Sequence, residues 1–282
     1  MSTSAESGDS SPTSTLPVLG WRAGGWSDAP DEIGVEEPLE LRVQTPDGPV
    51  SLNVTMRTPG HDRELALGWL HAEGLLTPGE RPHLCPDPEN PNLLTLHTPD
   101  PERLLAGRRE GFTSSACGVC GSGSVERLSL RTTPPRWTAA PLSPATILAL
   151  PARLSEAQPG FRASGGLHGA GLFGPGGELL AAYEDVGRHN AVDKLVGAVL
   201  AGRVGGVGLP LDDHLLVTSS RAGFEIVQKA ALAGVGMVVT VGAPSSLAVE
   251  TAAGLGLTLV GFVRGGRFNV YAGAERIEGA LD

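Results

Sequence analysis

The second half of the sequence alternates between short apolar runs and longer segments with helical periodicity. Strands are predicted near residues 167–173, 178–183, 214–218, 236–241 and 257–263, and helices near 190–201, 222–233 and 245–254. This alternation is typical of α/β domains, in which helices cover a sheet. The pattern therefore predicts a largely parallel sheet covered by helices.

The first half predicts a smaller unit that contains a β-hairpin. Two alternating runs at 39–43 and 50–56 flank an Asp-Gly turn, which is typical of a hairpin. Asp62 is a suitable N-cap for a helix that Gly74 would end. A strand is predicted at 93–97, and a helix is predicted to begin at Ser143 and Pro144 and to run to about Ser155.

Three regions follow from the composition along the chain. Residues 1–30 are rich in Ser, Thr, Pro and Gly, and their few large apolar side chains predict a disordered tail. Residues 31–135 are predicted to form an N-terminal subdomain that ends in a cysteine-containing loop. Residues 136–282 are predicted to form a C-terminal α/β domain that binds a ligand.

The overall charge narrows the class of partner. A formal charge of −10 at pH 7 argues against sequence-independent binding of nucleic acid, which needs a dominant basic face.

The first residues lack the basic and apolar regions of a secretory signal, and no apolar run reaches bilayer length. We expect a cytoplasmic protein with no membrane or nucleic-acid partner. Local groups of Arg and Lys could still bind small anions.

Two of the three cysteines, Cys117 and Cys120, lie close together in a segment of small residues. Small neighbours leave the sulfur atoms accessible, and the CxxC spacing can lower a thiol pKa toward neutrality. Four interpretations compete: a redox dithiol, two of four zinc ligands, a sulfur-carrying nucleophile, or no role. Accessible thiols without a role would be an oxidation liability. The pair therefore indicates sulfur or metal chemistry.

Zinc requires further ligands. A structural site needs four Cys or His side chains, and beyond the pair only Cys85 and scattered histidines remain. A catalytic site is another alternative, because His71 and Glu73 followed by the CxxC pair resemble the H-x-E and P-C-x-x-C signature of zinc deaminases. Ala116 stands where that signature has proline, and His71 could equally be a polar-face residue of its helix.

Three predicted strand-to-helix junctions, at 184–194, 219–225 and 242–246, carry polar and cationic residues. Ligands of open α/β sheets bind at the carboxyl ends of strands, and helix N-termini attract anions through free N–H groups and a positive dipole end. The junctions therefore predict one anion-lined crevice. Its candidate ligand-binding residues are Asp185, Arg188, His189, Asn190, Lys194, Ser219, Ser220, Arg221 and Ser245.

Helix capping is the alternative for three of these residues. Asn190, Ser219 and Ser245 are all residue types that favour the N-cap position. Capping does not explain cations such as Arg188 and Lys194, because positive side chains near a helix N-terminus oppose the helix dipole. A bound anion would remove that conflict.

Two more arginines occur on a glycine turn near the last predicted strand. This segment, residues 262–267, is a candidate contact for phosphate or guanine groups, and its alternative is a charged hairpin. It comprises Phe262, Val263, Arg264, Gly265, Gly266 and Arg267.

These motifs occur in the same order as in the formate dehydrogenase accessory sulfurtransferase family, often called FdhD, and the chain resembles that family. The similarity extends from residue 37 to about residue 265, and the run Glu-Asp-Val-Gly-Arg-His-Asn is especially specific. The matching segments are Glu37-Pro-Leu-Glu, Met56-Arg-Thr-Pro-Gly60, Ser-Ala-Cys-Gly-Val-Cys-Gly, residues 184–194, residues 219–225, residues 243–246 and Gly261-Phe-Val-Arg-Gly.

The resemblance implies a cytidine-deaminase-like three-layer α/β domain with an N-terminal subdomain that contains a β-hairpin. It implies transfer of sulfur from a cysteine desulfurase to the bis(molybdopterin guanine dinucleotide) cofactor, with Mo or W, of a formate dehydrogenase. Cys117 would carry the persulfide with Cys120 as helper, and residues 262–267 would contact the cofactor. A homodimer is implied, and GDP would be a simple analogue of the cofactor.

Two other functions remain open at the level of the sequence. The first is a zinc-dependent hydrolase of deaminase type, which would depend on His71 and Glu73. The second is a non-catalytic carrier that shelters the cofactor without transferring sulfur.

Overall fold

The computed structural model describes residues 11–77, 79–107 and 132–281. Its first element is an antiparallel ribbon of β1 (Thr13–Arg22) and β2 (Gly25–Gly34). This ribbon corrects the predicted disordered tail of residues 1–30, of which residues 1–10 lie outside the described part. Trp21 packs edge-on against its cross-strand partner Trp26, with 5.3 Å between ring centroids. Backbone pairing can order a segment that buries little apolar surface, which composition alone does not reveal.

The N-terminal subdomain is built on a four-stranded sheet in the order β4-β3-β6-β5. The strands β3 (Glu37–Thr45) and β4 (Gly48–Arg57) form the predicted hairpin. The other two strands are β5 (His83–Pro86) and β6 (Leu93–His97), and the helices are α1 (Asp62–Glu73) and α2 (Pro101–Gly107).

The start of α1 differs by one residue from the sequence prediction. His61, in the left-handed conformation at φ 58°, is the N-cap, and Asp62 is the first helical residue. The Asp62 carboxylate accepts a hydrogen bond from Arg57 Nε at 2.8 Å instead of capping the helix. The helix ends as predicted, because Gly74 takes the left-handed conformation that its C-cap position favours.

The C-terminal domain is built on a six-stranded sheet in the order β12-β11-β10-β9-β7-β8. Only two neighbouring pairs of strands, β9–β10 and β10–β11, are parallel, so the sheet is mixed and not largely parallel as predicted. Short turns without a helix join β7 to β8 and β11 to β12, and such turns produce antiparallel pairs. The strands are β7 (His168–Phe173), β8 (Leu179–Asp185), β9 (Leu215–Thr218), β10 (Met237–Thr240), β11 (Thr258–Arg264) and β12 (Arg267–Ala272).

Helices cover both faces of this sheet, which confirms the predicted three-layer α/β arrangement. One face packs on α3, and the other face packs on α5, α6 and α7. The helices of the domain are α3 (Pro144–Glu156), α4 (Pro159–Ser164), α5 (Arg188–Leu200), α6 (Phe224–Ala233) and α7 (Ser246–Leu255). Within the described ranges, no helix is long and apolar enough to cross a membrane.

Helix α5 lies at the centre of the molecule, with residues 189–199 all buried. It packs against β7 and β8 of its own domain and against α1 of the N-terminal subdomain. The two helices approach so closely that a Cβ atom on Gly68 would overlap the backbone carbonyl of Asp193, and one on Gly197 would overlap that of Glu64. The N-terminus of α5 is therefore held from two sides.

Candidate functional site

The junction between β8 and α5 is organised around the carboxylate of Asp185, which is fully buried. Its oxygens accept hydrogen bonds from Gly187 N at 2.8 Å, Asn190 Nδ2 at 3.0 Å and Thr58 N at 3.2 Å. Lys194 Nζ forms an ion pair with the same carboxylate at 2.7 Å. One aspartate therefore ties the start of α5 to the chain that follows β4.

Lys194 is also buried, and its ammonium group makes hydrogen bonds inside the protein. Its ammonium donates hydrogen bonds to Thr58 O at 2.8 Å and to Glu184 O at 3.2 Å, and the side chain is buried. The sequence analysis placed Asp185 and Lys194 in contact with a ligand, whereas the structure directs both to each other. The charge conflict noted for Lys194 is resolved by the aspartate and needs no bound anion.

Asn190 is likewise internal and does not act as the N-cap of α5, which is Gly187. Its amide nitrogen also donates to Met56 O at 2.8 Å. With Asp185 and Lys194, it holds the β4 end against α5. Because Gly187 offers no side-chain cap, the first N–H groups of α5 receive no capping hydrogen bond from a side chain.

Arg188 and His189 open helix α5 and face the neighbouring helix α6. His189 Nε2 lies 3.0 Å from Glu225 Oε2, in the first turn of α6. Burial lowers the pKa of His189 to about 3, and the positive charges of Arg188 and Lys229 act in the same direction. The imidazole is therefore neutral near pH 7 and donates its Nε2 proton to the Glu225 carboxylate.

The junction between β9 and α6 exposes a single cation. Ser219 Oγ accepts a hydrogen bond from Gly169 N at 2.9 Å, and Ser220 Oγ donates to Arg221 O at 3.2 Å. Neither serine caps α6, whose N-cap is Gly223 without a side-chain hydrogen bond. Arg221 is exposed.

The junction between β10 and α7 follows the capping interpretation. Ser245 is the N-cap of α7, and its hydroxyl accepts a hydrogen bond from Ala248 N at 3.2 Å. Ser245 is also exposed, so a ligand could still reach the hydroxyl.

Residues 262–267 form the end of the β11–β12 hairpin, as the alternative interpretation predicts. Gly265 and Gly266 turn the chain at positive φ, and Val263 is buried. Arg264 and Arg267 are cross-strand partners and both are exposed, with the Arg264 guanidinium 5.4 Å from the ring centroid of Phe262. The hairpin therefore presents two arginines to solvent.

Backbone contacts join these loops into one surface. Gly242 N donates to Ser220 O at 3.0 Å, and Phe262 N donates to Gly242 O at 3.0 Å, so the ends of β9, β10 and β11 adjoin. The β8 junction lies beyond β7 in the sheet order, and the contact of His189 with Glu225 connects it to α6. The loops of the predicted crevice therefore adjoin, with exposed or half-buried cations at Arg188, Arg221, Arg264 and Arg267.

The pKa of His168, at the start of β7, also depends on burial and on nearby charges. Burial lowers the pKa of His168, and the positive charges of Arg188 and Arg221 lower it further, while Asp185 opposes them. Two arginines from different junctions thus act on one imidazole.

A cavity of about 300 Å³ opens beside the N-termini of α5 and α6. The hairpin β3–β4, helix α1 and the two helix starts contribute to its walls. Its lining includes Thr55, Met56, Trp69, Arg188, His189 and Glu225.

A second buried ion pair lines this cavity. Lys229 Nζ lies 2.7 and 2.8 Å from the two carboxylate oxygens of Asp193. Burial raises the pKa of Asp193 to about 7, although the Lys229 charge opposes that shift. Burial alone would lower the pKa of Lys229, but the carboxylates of Asp193, Glu225 and Glu73 together raise it. The lysine is therefore charged, and at pH 8 the pair is ionic.

The sequence analysis missed Asp193, Lys229, Glu225 and Trp69 as residues of the site. A usable signal was present, because Lys194 and Lys229 are the only lysines in the chain and both stand in predicted helices with apolar neighbours. A lysine in such a helix needs a buried acidic partner. Which aspartate forms an ion pair with which lysine depends on how the helices pack.

Cys117 and Cys120 lie outside the described residues, as do their immediate neighbours. Cys85, on β5, is half-buried with its Sγ 3.3 Å from His83 Nδ1. The described ranges hold no group of three or more His, Cys, Asp or Glu side chains arranged to bind a metal ion. His71, a residue of the deaminase-type alternative, contacts Leu232 O through Nε2 at 3.1 Å.

Comparison with a solved structure identifies the kind of fold. A protein from Desulfotalea psychrophila, described as a formate dehydrogenase accessory protein, matches with a TM-score of 0.73 and 23% sequence identity, over 95% of this chain and 100% of that one. The match shows that this chain has the same α/β fold.

Sequence comparison identifies the family. The model of the FdhD/NarQ family matches residues 34–278. A sulfur carrier protein FdhD from Anaeromyxobacter sp. (strain K) is 49% identical over 269 residues, 88% of each chain. Another from Corynebacterium efficiens is 48% identical over 261 residues, 86% of this chain and 90% of that one. The chain belongs to the FdhD/NarQ family, which confirms the resemblance seen in its motifs.

Proposed function

We propose that this protein is a sulfurtransferase that carries sulfur as a persulfide on Cys117 and delivers it to a bis(molybdopterin guanine dinucleotide) cofactor of a formate dehydrogenase. The relatives named as sulfur carriers support the carrier role. A cysteine desulfurase is the proposed donor, and the cofactor metal is Mo or W. The observation that carries the acceptor half of the proposal is that accessible arginines lie on loops adjoining the starts of α5 and α6, which have no side-chain caps.

The crevice suits an acceptor with several phosphate groups. Arginine forms strong, often bidentate hydrogen bonds to phosphate, and free N–H groups at helix N-termini add further donors. Arg221, Arg264 and Arg267 lie on two adjoining loops, and Arg188 lies at the neighbouring β8–α5 junction. This spread favours an extended polyanion over a single small ion.

The sulfur step is thiolate–persulfide exchange. The thiolate of Cys117 attacks the outer sulfur of the donor persulfide and forms a new S–S bond. The donor S–S bond breaks, and the donor leaves as a thiolate. One S–S bond replaces another, so no electron acceptor is required. Cys120 is the proposed helper thiol.

The carrier role can be tested by intact mass spectrometry. The protein is incubated with a cysteine desulfurase and cysteine, with and without reductant. We expect the wild type to gain sulfur in a form that reductant removes, and the Cys117→Ser variant not to gain it. Cys85→Ser is the matched control and should behave as the wild type. Equal sulfur gain in Cys117→Ser would exclude this cysteine as the carrier.

The acceptor site can be tested with GDP. Arg221→Ala should weaken GDP binding by about tenfold, since a charge-assisted hydrogen bond contributes roughly 1.5–3 kcal/mol. Arg136→Ala is the matched control, because Arg136 lies at the other end of the sheet, where its backbone N bonds to Asp212 just before β9. Unchanged GDP affinity in Arg221→Ala would rule out this part of the crevice.

A further inference from the structure

A second and larger cavity, of about 730 Å³, opens at the other end of α5 and α6. Its walls include Leu200, the last residue of α5, and Leu232 near the end of α6, whereas the cavity beside Trp69 adjoins the starts of the same helices. The 13 residues of α5 span about 20 Å. This distal cavity and the crevice therefore lie at opposite ends of the same two helices.

Half-buried apolar side chains supply much of the lining of the distal cavity. They come from the segment after α1, the end of α5, the loop before β9 and the end of α6: Leu76, Leu200, Val207, Leu209 and Leu232. Apolar groups left accessible in a concave site favour burial against an apolar group of a partner. Because α5 and α6 end here, the negative ends of their dipoles disfavour an anion deep in the cavity. The group that enters is therefore apolar.

Two arginines give the distal cavity a cationic rim. Arg81 and Arg136 are exposed, and neither guanidinium has a hydrogen bond or ion pair with another residue of the described ranges. Of the two carboxylates in the lining, Glu80 pairs with Arg103 at 2.8 Å, and Asp212 accepts a hydrogen bond from Arg136 N at 3.0 Å. The rim can therefore attract carboxylates of a partner, although the whole chain has a formal charge of −10.

The segment that carries the two proposed sulfur-transfer cysteines is attached to the described structure at this cavity. The described chain stops at Gly107, the last residue of α2, and resumes at Thr132, which lines the distal cavity. Helix α2 is held at the same wall by the ion pair between Arg103 and Glu80, about one helical turn before Gly107. A partner seated in the distal cavity therefore lies beside both attachment points of that segment.

We propose that the distal cavity is the docking site of the sulfur donor protein. An apolar side chain of the donor packs among the leucines of the lining, and donor carboxylates pair with Arg81 and Arg136. This inference rests on the proposed function, in which a protein donor loads Cys117. Donor and acceptor then use opposite ends of α5 and α6 and do not compete for one surface.

The test measures how fast the full chain gains sulfur from two donors, a cysteine desulfurase with cysteine and the small molecule cysteine persulfide. Both load Cys117 by the same thiolate–persulfide exchange, in which the leaving group is the desulfurase thiolate or the thiolate of free cysteine. Only the protein donor needs a docking surface. Intact mass at fixed salt gives the rate.

The double variant Arg81→Glu with Arg136→Glu reverses the charge of the rim. We expect the desulfurase to load it about tenfold more slowly than the wild type, because like charges across an interface slow association. Cysteine persulfide should load it at the wild-type rate. The matched control, Arg63→Glu with Arg162→Glu, makes the same change in net charge at exposed positions outside the cavity lining and should behave as the wild type with both donors.

The outcomes separate the docking site from the carrier role. If the desulfurase loads the rim variant at the wild-type rate, the distal cavity is not the docking site and the carrier role stands. Docking is also overturned if the control variant is equally slow, or if the rim variant is equally slow with cysteine persulfide. Loading of the wild type by cysteine persulfide alone would overturn the protein donor and its docking site together. If neither donor adds sulfur to the wild type, the carrier role fails and the docking site fails with it.

Discussion

At the scale of single residues, the two lysines and the arginines near the strand ends of the C-terminal sheet differ in their partners. Lys194 and Lys229, its only lysines, are buried and paired with Asp185 and Asp193. The cations of the crevice are arginines, whose planar guanidinium matches phosphate geometry. The lysines therefore fix the position of α5, whereas Arg221, Arg264 and Arg267 remain exposed.

The Lys194 ion pair leads to a stability prediction. Lys194→Met should lower the free energy of unfolding by about 3–5 kcal/mol, because it leaves the Asp185 carboxylate buried without its counter-charge. Urea denaturation measures the change. The double variant Asp185→Asn with Lys194→Met should recover part of the loss, since no charge then remains buried. A single-variant loss below about 1 kcal/mol would contradict the role assigned to the pair.

The lowered pKa of His189 leads to a pH prediction. The unfolded chain protonates this histidine near pH 6.5, whereas the folded protein, with a pKa of about 3, does not. As the pH falls from about 6.5 toward 3, His189 therefore lowers the free energy of unfolding, by at most about 1.4 kcal/mol per pH unit. Asp193, whose pKa burial raises to about 7, acts in the opposite direction as the pH falls below 7.

This prediction is best checked by nitrogen NMR of the His189 ring. The ring should remain in the neutral Nε2–H form from pH 8 down to about pH 4. In parallel, the stability of His189→Gln should fall less steeply than that of the wild type between pH 6.5 and 4. Protonation of His189 near pH 6 would show that the ring is not buried as described.

At the scale of elements, the contact between α1 and α5 determines how the two subdomains are joined. Gly68 and Gly197 let the helix backbones touch, because neither position has room for a Cβ atom. The N-terminus of α5 and its Arg188 therefore take their position partly from the N-terminal subdomain.

A glycine-to-alanine pair tests that contact. Gly68→Ala should destabilise the protein by about 1–3 kcal/mol, because the added methyl group meets the backbone of Asp193. Gly254→Ala on α7 is the matched control, since nothing lies within 4 Å of its Cβ position. There, alanine should be neutral or stabilise by up to about 1 kcal/mol. Equal effects of the two changes on thermal unfolding would argue against close helix contact.

Most elements were predictable because their signals are local. The hairpin of β3 and β4, the Ser143 cap of α3 and the alternation from β7 onward all follow from neighbouring residues. The ribbon of β1 and β2 was not predicted, because its order comes from pairing between strands and not from buried apolar area. Asp62 was misassigned because its partner, Arg57, lies on another element.

At the scale of the whole molecule, the buried helix α5 should make the two subdomains unfold together. It contributes to the main core and also packs against α1, so neither subdomain can open without exposing it. Hydrogen exchange should therefore give α1 and α5 amides the same opening free energy. The ribbon, with both faces largely exposed, should exchange faster. A clearly lower opening free energy for α1 would show that the subdomains are independent.

The sequence alone determined the α/β class, most element positions, the family and the place of three polar junctions at strand ends, because these depend on periodicity and on contiguous motifs. Only the tertiary structure decided which polar residues turn inward and which remain accessible. Asp185, Asn190 and Lys194 turned inward to one another, while Glu225 and Trp69 came together in a cavity from separate elements. The reason is physical: a charge buried on folding must find its partner wherever packing places one, and that partner need not be near in sequence.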